Sequence, residues 1–248
     1  MLIFGFHLTA CDFHNTAGSA GTENAIVHGQ QARSGDALAS SVVAILTELP
    51  EGQSLCTGSI LNENSVLTAA HCVDGHTEKM TIVFAKNIRQ SNEYSQRLVT
   101  GFVQNPYWKH PNTNTQGDLA IIHFAGGLPE GYKPVRLAKP TEVVSEGQQV
   151  YFLGYGVTNG NSQKGSGILR GTTSRIIGEQ SPTETITDGK KSSVCFGDSG
   201  GPAFIKVKNQ FVQWGVASSV FNQACNEASI HTNVMPYDSW IRNEAQFR

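Results

Sequence analysis

Gly197-Asp198-Ser199-Gly200-Gly201-Pro202 sets one serine among glycines. Glycines let the backbone turn tightly and aim its N–H groups at a developing charge. Upstream stands Leu67-Thr68-Ala69-Ala70-His71-Cys72, and between the two lies Gly117-Asp118-Leu119-Ala120-Ile121-Ile122. A serine hydroxyl is a weak nucleophile at neutral pH and needs a base to take its proton. His71 suits that task because an imidazole titrates near neutrality. Asp118 can hold the imidazole in one tautomer and stabilise its cation. Alone, His71 reads as a core histidine and Asp118 as a loop cap. With the glycine-flanked serine, in the order His, Asp, Ser, they point to acyl transfer.

The stretches around these residues are short apolar or alternating runs cut by Gly, Asn and Pro. Strands are expected at 42–46, 57–61, 66–69, 80–84, 98–103 and 119–124, then at 149–153, 169–177, 202–207, 211–217 and 230–234. Such spacing indicates an all-β barrel or sandwich. After Pro236, the residues Tyr237, Trp240, Ile241 and Ala245 recur at helical spacing and predict a C-terminal helix. The 248 residues fit one large unit or two small ones, and 26 glycines with only 15% charged residues favour turns over long helices. A net charge of −2 gives no reason to expect nucleic acid or an anionic membrane as partner. The histidines are scattered and no H-E-x-x-H or paired C-x-x-C occurs, so no metal or other cofactor is expected.

Five cysteines are present. Cys56, Cys72, Cys195 and Cys225 lie in or beside the motifs, and an even set suggests two disulfides in an oxidising compartment. Four cysteines allow three pairings, and four reduced buried thiols are the alternative. Cys11 stands apart. It ends Leu8-Thr9-Ala10-Cys11, which resembles the lipobox of bacterial lipoproteins and makes Cys11 a candidate lipid anchor. Residues 1–10 are too short to span a bilayer as a helix and suit the tail of a secretory signal. Residues 12–25 are small and polar, as in a linker.

From about Ile26 to the C-terminus the chain resembles the trypsin-like (chymotrypsin-fold) serine peptidases. The resemblance implies two antiparallel six-stranded β-barrels, about 26–137 and 138–235, packed together with a C-terminal α-helix. Residues 1–25 would be leader and propeptide, and 26–248 the peptidase domain. His71, Asp118 and Ser199 would be catalytic, His71 and Asp118 coming from the first barrel and Ser199 from the second. The backbone N–H groups of Gly197 and Ser199 would form the oxyanion hole. The implied disulfides are Cys56–Cys72 and Cys195–Cys225.

Ile26-Val27-His28-Gly29 resembles the family's mature N-terminus, with Asp198 pairing the new α-amino group. Ala25 precedes it, so an enzyme preferring small residues, not a trypsin-type one, would make the cut. By the same resemblance, Ser193 floors the specificity pocket, Val194 narrows it, Ser218, Ser219 and Val220 form one wall and Ser229 the other. Val220 stands where a glycine would leave the slot open, as in elastase-like members.

The expectation is a monomeric serine endopeptidase preferring small aliphatic residues, with protein or peptide substrates and protein inhibitors as partners. It would act outside the cell, in the periplasm or on the cell envelope. The alternatives are a silent binding protein on a peptidase scaffold, and an active enzyme with chymotrypsin-like or Glu preference.

Overall fold

The computed structural model describes residues 26–32, 38–50, 52–74, 79–108 and 117–246. The leader and Cys11 lie outside these residues. Thirteen strands are formed among the described residues: β1 (Gln30–Gln31), β2 (Val42–Leu49), β3 (Gly52–Asn62), β4 (Ser65–Thr68), β5 (Lys79–Val83), β6 (Gln96–Gln104), β7 (Ala120–Phe124), β8 (Gln149–Gly154), β9 (Arg170–Ser181), β10 (Glu184–Asp188), β11 (Pro202–Val207), β12 (Gln210–Val220) and β13 (Ala228–Asn233). One α-helix, α1 (Asp238–Glu244), follows a 3-10 turn at Met235–Tyr237.

Strands β2-β3-β4-β7-β6-β5 close into one antiparallel barrel. Strands β8-β9-β10-β13-β12-β11 close into the other, because β9 pairs with β8 through Arg170–Arg175 and with β10 beyond Ile176. The chain is therefore all-β, with two six-stranded barrels and a C-terminal helix. Closure leaves neither barrel a free strand edge.

The apolar runs that mark the strands fill the barrels. Val43, Ile45, Ile60, Leu67, Ile82, Leu119 and Ile121 fill the first, and Val150, Phe152, Ala203, Ile205, Val212 and Trp214 the second. Fully burying one such side chain contributes about 1.5–3 kcal/mol. A third cluster joins the barrels, with Val42, Ala44 and Val83 against Leu153, Tyr155, Leu169 and Phe204. Tyr155 is fully buried there and its hydroxyl donates to the Ala85 carbonyl at 3.0 Å. The helix does not cap the barrel it follows. Tyr237, Ile241 and Ala245 join the core of the first barrel, and Asn62 Nδ2 donates to the Ala245 carbonyl at 2.6 Å.

The segment after Ile26 differs from the expected division at residue 137. The strands of the first barrel begin at Val42, whereas β1 pairs with β9 and Val27 bridges Ser193 on the second barrel. Ile26 is buried among Ala138, Val150, Phe152 and Val194. Burying that apolar side chain there favours the segment's place on the second barrel.

Candidate active site

His71 sits in a 3-10 turn, Ala70–Val73, directly after β4. Asp118 lies two residues before β7, which pairs with β4. Adjacent strands thus bring the two side chains together. His71 Nδ1–H donates to Asp118 Oδ2 at 2.8 Å, and the His71 backbone N–H donates to Oδ1 at 3.0 Å. An ionised carboxylate only accepts, so it fixes the proton on Nδ1 and leaves Nε2 as a base.

Ser218 completes the set. Its hydroxyl donates to Asp118 Oδ2 at 2.6 Å across the two barrels. A bulge in β12 makes this reach. Ala217 pairs with His231 and Ser219 with the next residue, Ile230, so Ser218 is the unpaired extra residue. Bulges redirect a side chain in this way. The sequence places Ser218 in the pocket wall, and the structure directs its hydroxyl to Asp118.

Asp118 is 1% exposed and the His71 side chain 34%. Burial disfavours the imidazolium, but the bond and charge of Asp118, with the charge of Asp74, outweigh it and raise the His71 pKa above 6.5. The arrangement supplies a base stabilised as it takes up a proton.

Ser199 lies on the second barrel, just before β11. Its carbonyl accepts from Thr57 N at 2.8 Å, and Gly200 N donates to the Ala217 carbonyl at 2.8 Å. Gly200 has φ +79°, and a Cβ there would strike Thr68 Oγ1 and the Thr57 carbonyl, so glycine is required. His71 and Ser199 line one cleft, with no hydrogen bond between their side chains. Such bonds are often long before substrate arrives.

The turn before the serine is pinned at several points. The Phe196 carbonyl accepts from Val157 N at 2.8 Å, and the Gly197 carbonyl from Thr57 Oγ1 at 2.8 Å. Because a peptide unit is planar and trans, the Gly197 N–H points away from Val157. Gly197 has φ +93°, and a Cβ would come within 2.9 Å of Gly156 Cα. Asp198 is fully buried. Its Oδ1 accepts from Gly156 N and its Oδ2 from Cys195 N, each at 2.8 Å. Burial pushes its carboxyl up to about 7 against the pull of these amides and of Arg170.

Thr57, Gly156 and Phe196 were not singled out in the sequence. Thr57 carries no local signal, since its partner Gly197 is 140 residues away. Gly154-Tyr155-Gly156 offers one, because a Cβ at either glycine would strike the Asp198 carboxylate.

A cavity of about 290 Å³ adjoins Ser199, lined by His71, Val194, Cys195, Phe196, Ala217, Ser218, Ser219 and Val220. Ser193 and Ser229, read from the sequence as floor and wall, are fully buried and do not line it. Ser193 Oγ has no hydrogen-bond partner among the described residues. Ser229 Oγ is bonded to Thr187 Oγ1 at 2.8 Å and to His231 Nε2 at 3.1 Å. His231 lies fully buried, stacked on Phe152 with ring centroids 4.7 Å apart. Burial pushes its pKa down to about 3, so the ring is neutral.

Disulfides join Cys56 to Cys72 and Cys195 to Cys225, closing separations of 16 and 30 residues. Cys56, His71 and Cys72 cluster as metal ligands would, but both sulfurs are committed to the disulfide.

The trypsin family model matches residues 26–241. Chymotrypsin-like elastase family member 1 of Felis catus is 28% identical over 207 residues, covering 76% of this chain and 77% of the relative. The Homo sapiens protein of that name is also 28% identical over 207 residues, covering 76% of this chain and 80% of the relative. A chymotrypsin of Phaedon cochleariae is 29% identical over 209 residues, covering 78% of this chain and 73% of the relative.

Proposed function

The chain belongs to the trypsin family and is a serine endopeptidase, and on that premise we propose that it cuts after small aliphatic residues such as Ala and Val. Ser199 attacks the scissile carbonyl while His71 takes its proton. Asp118 holds the imidazole and stabilises its cation. The N–H groups of Gly197 and Ser199 receive the oxyanion, a kind of contact usually worth about 2.7–4 kcal/mol per donor. The extended substrate adds as a strand beside Ser218–Val220.

The observation that carries the preference is the cavity next to Ser199, walled by Val194, Ala217 and Val220. A β-branched wall narrows the space beside Ser199, which suits a methyl or isopropyl group better than a ring. Among the described residues no acidic side chain lines this cavity, so none of them supplies the attraction a Lys or Arg side chain needs. The neutral, buried His231 offers no cation to a Glu side chain. The elastase names among the relatives agree with this reading. Profiling cleavage of a peptide library tests it. Dominant cleavage after Phe, Arg or Glu would refute it.

Processing before Ile26 belongs to the same proposal, since Ile26 and Val27 already seat beside the elements that hold Asp198. Two disulfides suit work in an oxidising space outside the cytosol. Cys11 remains the proposed lipid anchor, and comparing fatty-acid labelling of wild type and Cys11→Ala tests it. Equal labelling would exclude that role.

A further inference from the structure

Thr57 stands on β3 directly after Cys56, whose disulfide partner Cys72 follows His71. It is fully buried, and a hydroxyl in such a place must find partners. Thr57 Oγ1 finds two, both in the second half of the chain. It donates to the Gly197 carbonyl at 2.8 Å and accepts from Tyr155 N at 3.1 Å. The backbone of the same residue adds a third link, Thr57 N donating to the Ser199 carbonyl at 2.8 Å. Its own carbonyl accepts from Thr68 Oγ1 at 2.9 Å, which ties the residue to its own barrel.

Every carbonyl of the turn from Phe196 to Ser199 is bonded. Phe196 O accepts from Val157 N, Gly197 O from Thr57 Oγ1, Asp198 O from Gly201 N and Ser199 O from Thr57 N. The N–H groups of Gly197 and Ser199 have no backbone acceptor among the described residues. Of these donors to the turn, only Thr57 Oγ1 belongs to a side chain. Gly197 has φ +93° and no side chain to resist rotation, so bonds rather than torsional preference hold the Gly197–Asp198 peptide. That planar unit links the peptide carrying the Gly197 N–H to the one carrying the Ser199 N–H. Its orientation therefore sets the angle between the two.

We infer that Thr57 is a positioning residue for the oxyanion, its hydroxyl holding the Gly197–Asp198 peptide so that the N–H groups on either side converge. The inference rests on the reading of those two N–H groups given above. Thr57 does not line the cavity beside Ser199, so it acts through the turn and not on the substrate. Its effect is greatest where the charge on the substrate oxygen is greatest, in the transition state, and falls on kcat more than on KM. The methyl group has a separate task. Thr57 Cγ2 packs beside Gly201, 3.2 Å from where a Cβ there would lie. Bonding and packing can therefore be removed one at a time.

The test uses two pairs of full-length enzymes. Wild type and Thr57→Val share a shape and differ in the hydroxyl. Thr57→Ser and Thr57→Ala differ in the hydroxyl too, both without the methyl group. Rates are expressed per serine titrated with a fluorophosphonate, so that only competent sites count. Each enzyme receives a peptide ester built on the residue that library profiling favours, and the matching thionoester. Sulfur, a weak hydrogen-bond acceptor, there replaces the carbonyl oxygen. Thr57→Val and Thr57→Ala are expected to lose about 10- to 100-fold in ester kcat, with KM changed less than about threefold. Thr57→Ser is expected to stay within about threefold of wild type. The ester-to-thionoester rate ratio is expected to be large in wild type and Thr57→Ser, and about tenfold smaller in the variants without the hydroxyl. Should Thr57→Val fail to fold, the Ser and Ala pair reads the same difference. Equal kcat in Thr57→Ser and Thr57→Ala, or a loss of kcat with an unchanged ratio, overturns the inference and leaves the two N–H donors standing. A wild-type ratio near one removes the donors and the inference together.

Discussion

Ser218 Oγ lies 2.6 Å from Asp118 Oδ2, the oxygen that also accepts from His71 Nδ1. A hydroxyl of the second barrel is thus bonded to the carboxylate that the first barrel presents to its histidine. The bond ties the orientation of the base to the packing of the barrels.

Removing that hydroxyl leaves a buried carboxylate with one acceptor site unfilled. Hydrogen bonds to charged groups contribute about 1.5–3 kcal/mol. Ser218→Ala is therefore expected to lower kcat/KM about tenfold or more on an Ala-containing peptide. Asp118→Asn is expected to cost far more, about 10⁴-fold in kcat, because it permits the wrong imidazole tautomer. Steady-state kinetics of both variants checks the order. Equal losses would mean that Ser218 does more than position Asp118.

The pH profile follows from His71. Burial lowers its pKa, but the hydrogen bond and charge of Asp118, with the charge of Asp74, more than compensate, leaving the net shift upward from 6.5. The base works only when neutral, so kcat/KM is expected to rise with pH through an inflection above 6.5. Asp118→Asn removes the largest raising contribution and should move that inflection to lower pH. A profile from pH 5 to 9 for both proteins reads it directly.

The barrels were legible because most strands carry apolar side chains in a short-range pattern. β11 is found at the expected Pro202–Val207, and β8 at Gln149–Gly154 extends the expected run by one residue. β10, Glu184–Asp188, was missed for a physical reason. Its run Glu-Thr-Ile-Thr-Asp has a single apolar residue, and its buried threonines instead bond Asn233, Ser229 and His231. β1 has two residues, too few for any period.

Within the site, the structure brings together the residues named by local motifs, His71 bonded to Asp118 and lining one cleft with Ser199. The placements that depended on long-range packing fared differently. Ser193 and Ser229 are fully buried and do not line the cavity, and Ser218 turns at a bulge that nothing in Ala217-Ser218-Ser219 announces. Thr57 bonds both the Gly197 carbonyl and Tyr155 N, a bracing role visible only once the barrels are packed.

Asp198 gives the uncut chain a distinctive stability profile. Its carboxyl titrates at about 7 in the folded chain, above the ordinary 3.8. The folded state therefore binds the proton more tightly than the unfolded one. The neutral acid is tolerated in the core at low pH, and stability falls as pH rises from about 4 to about 7. At about 1.4 kcal/mol per pKa unit the loss is on the order of 4 kcal/mol. Urea unfolding of the uncut Ser199→Ala chain at pH 4.5 and 7.5 is expected to show it. Asp198→Asn should flatten the dependence, and an α-amino group freed at Ile26 should offset it.

Val220 decides the depth of the pocket. It pairs with Ser229 on β13, and its side chain packs against both the second-barrel core and the Cys195–Cys225 cluster. Ser229, its strand partner, and Ser193, whose hydroxyl has no partner among the described residues, are both fully buried. Val220→Gly removes the branched side chain and deepens the space beside Ser199. Each added methylene that finds space in a pocket is worth about 1–3 kcal/mol of transition-state binding. The variant is expected to cleave after Leu, Met or Gln at least about tenfold better than wild type, and to lose its preference for Ala. Glu should gain little, because His231 beyond Ser229 is held neutral by burial. Library profiling of wild type and variant side by side separates these outcomes. An unchanged small-residue preference in Val220→Gly would transfer the limiting role to Val194 or Ala217. A selective gain for Glu would mean that the buried histidine takes up a proton when a carboxylate arrives.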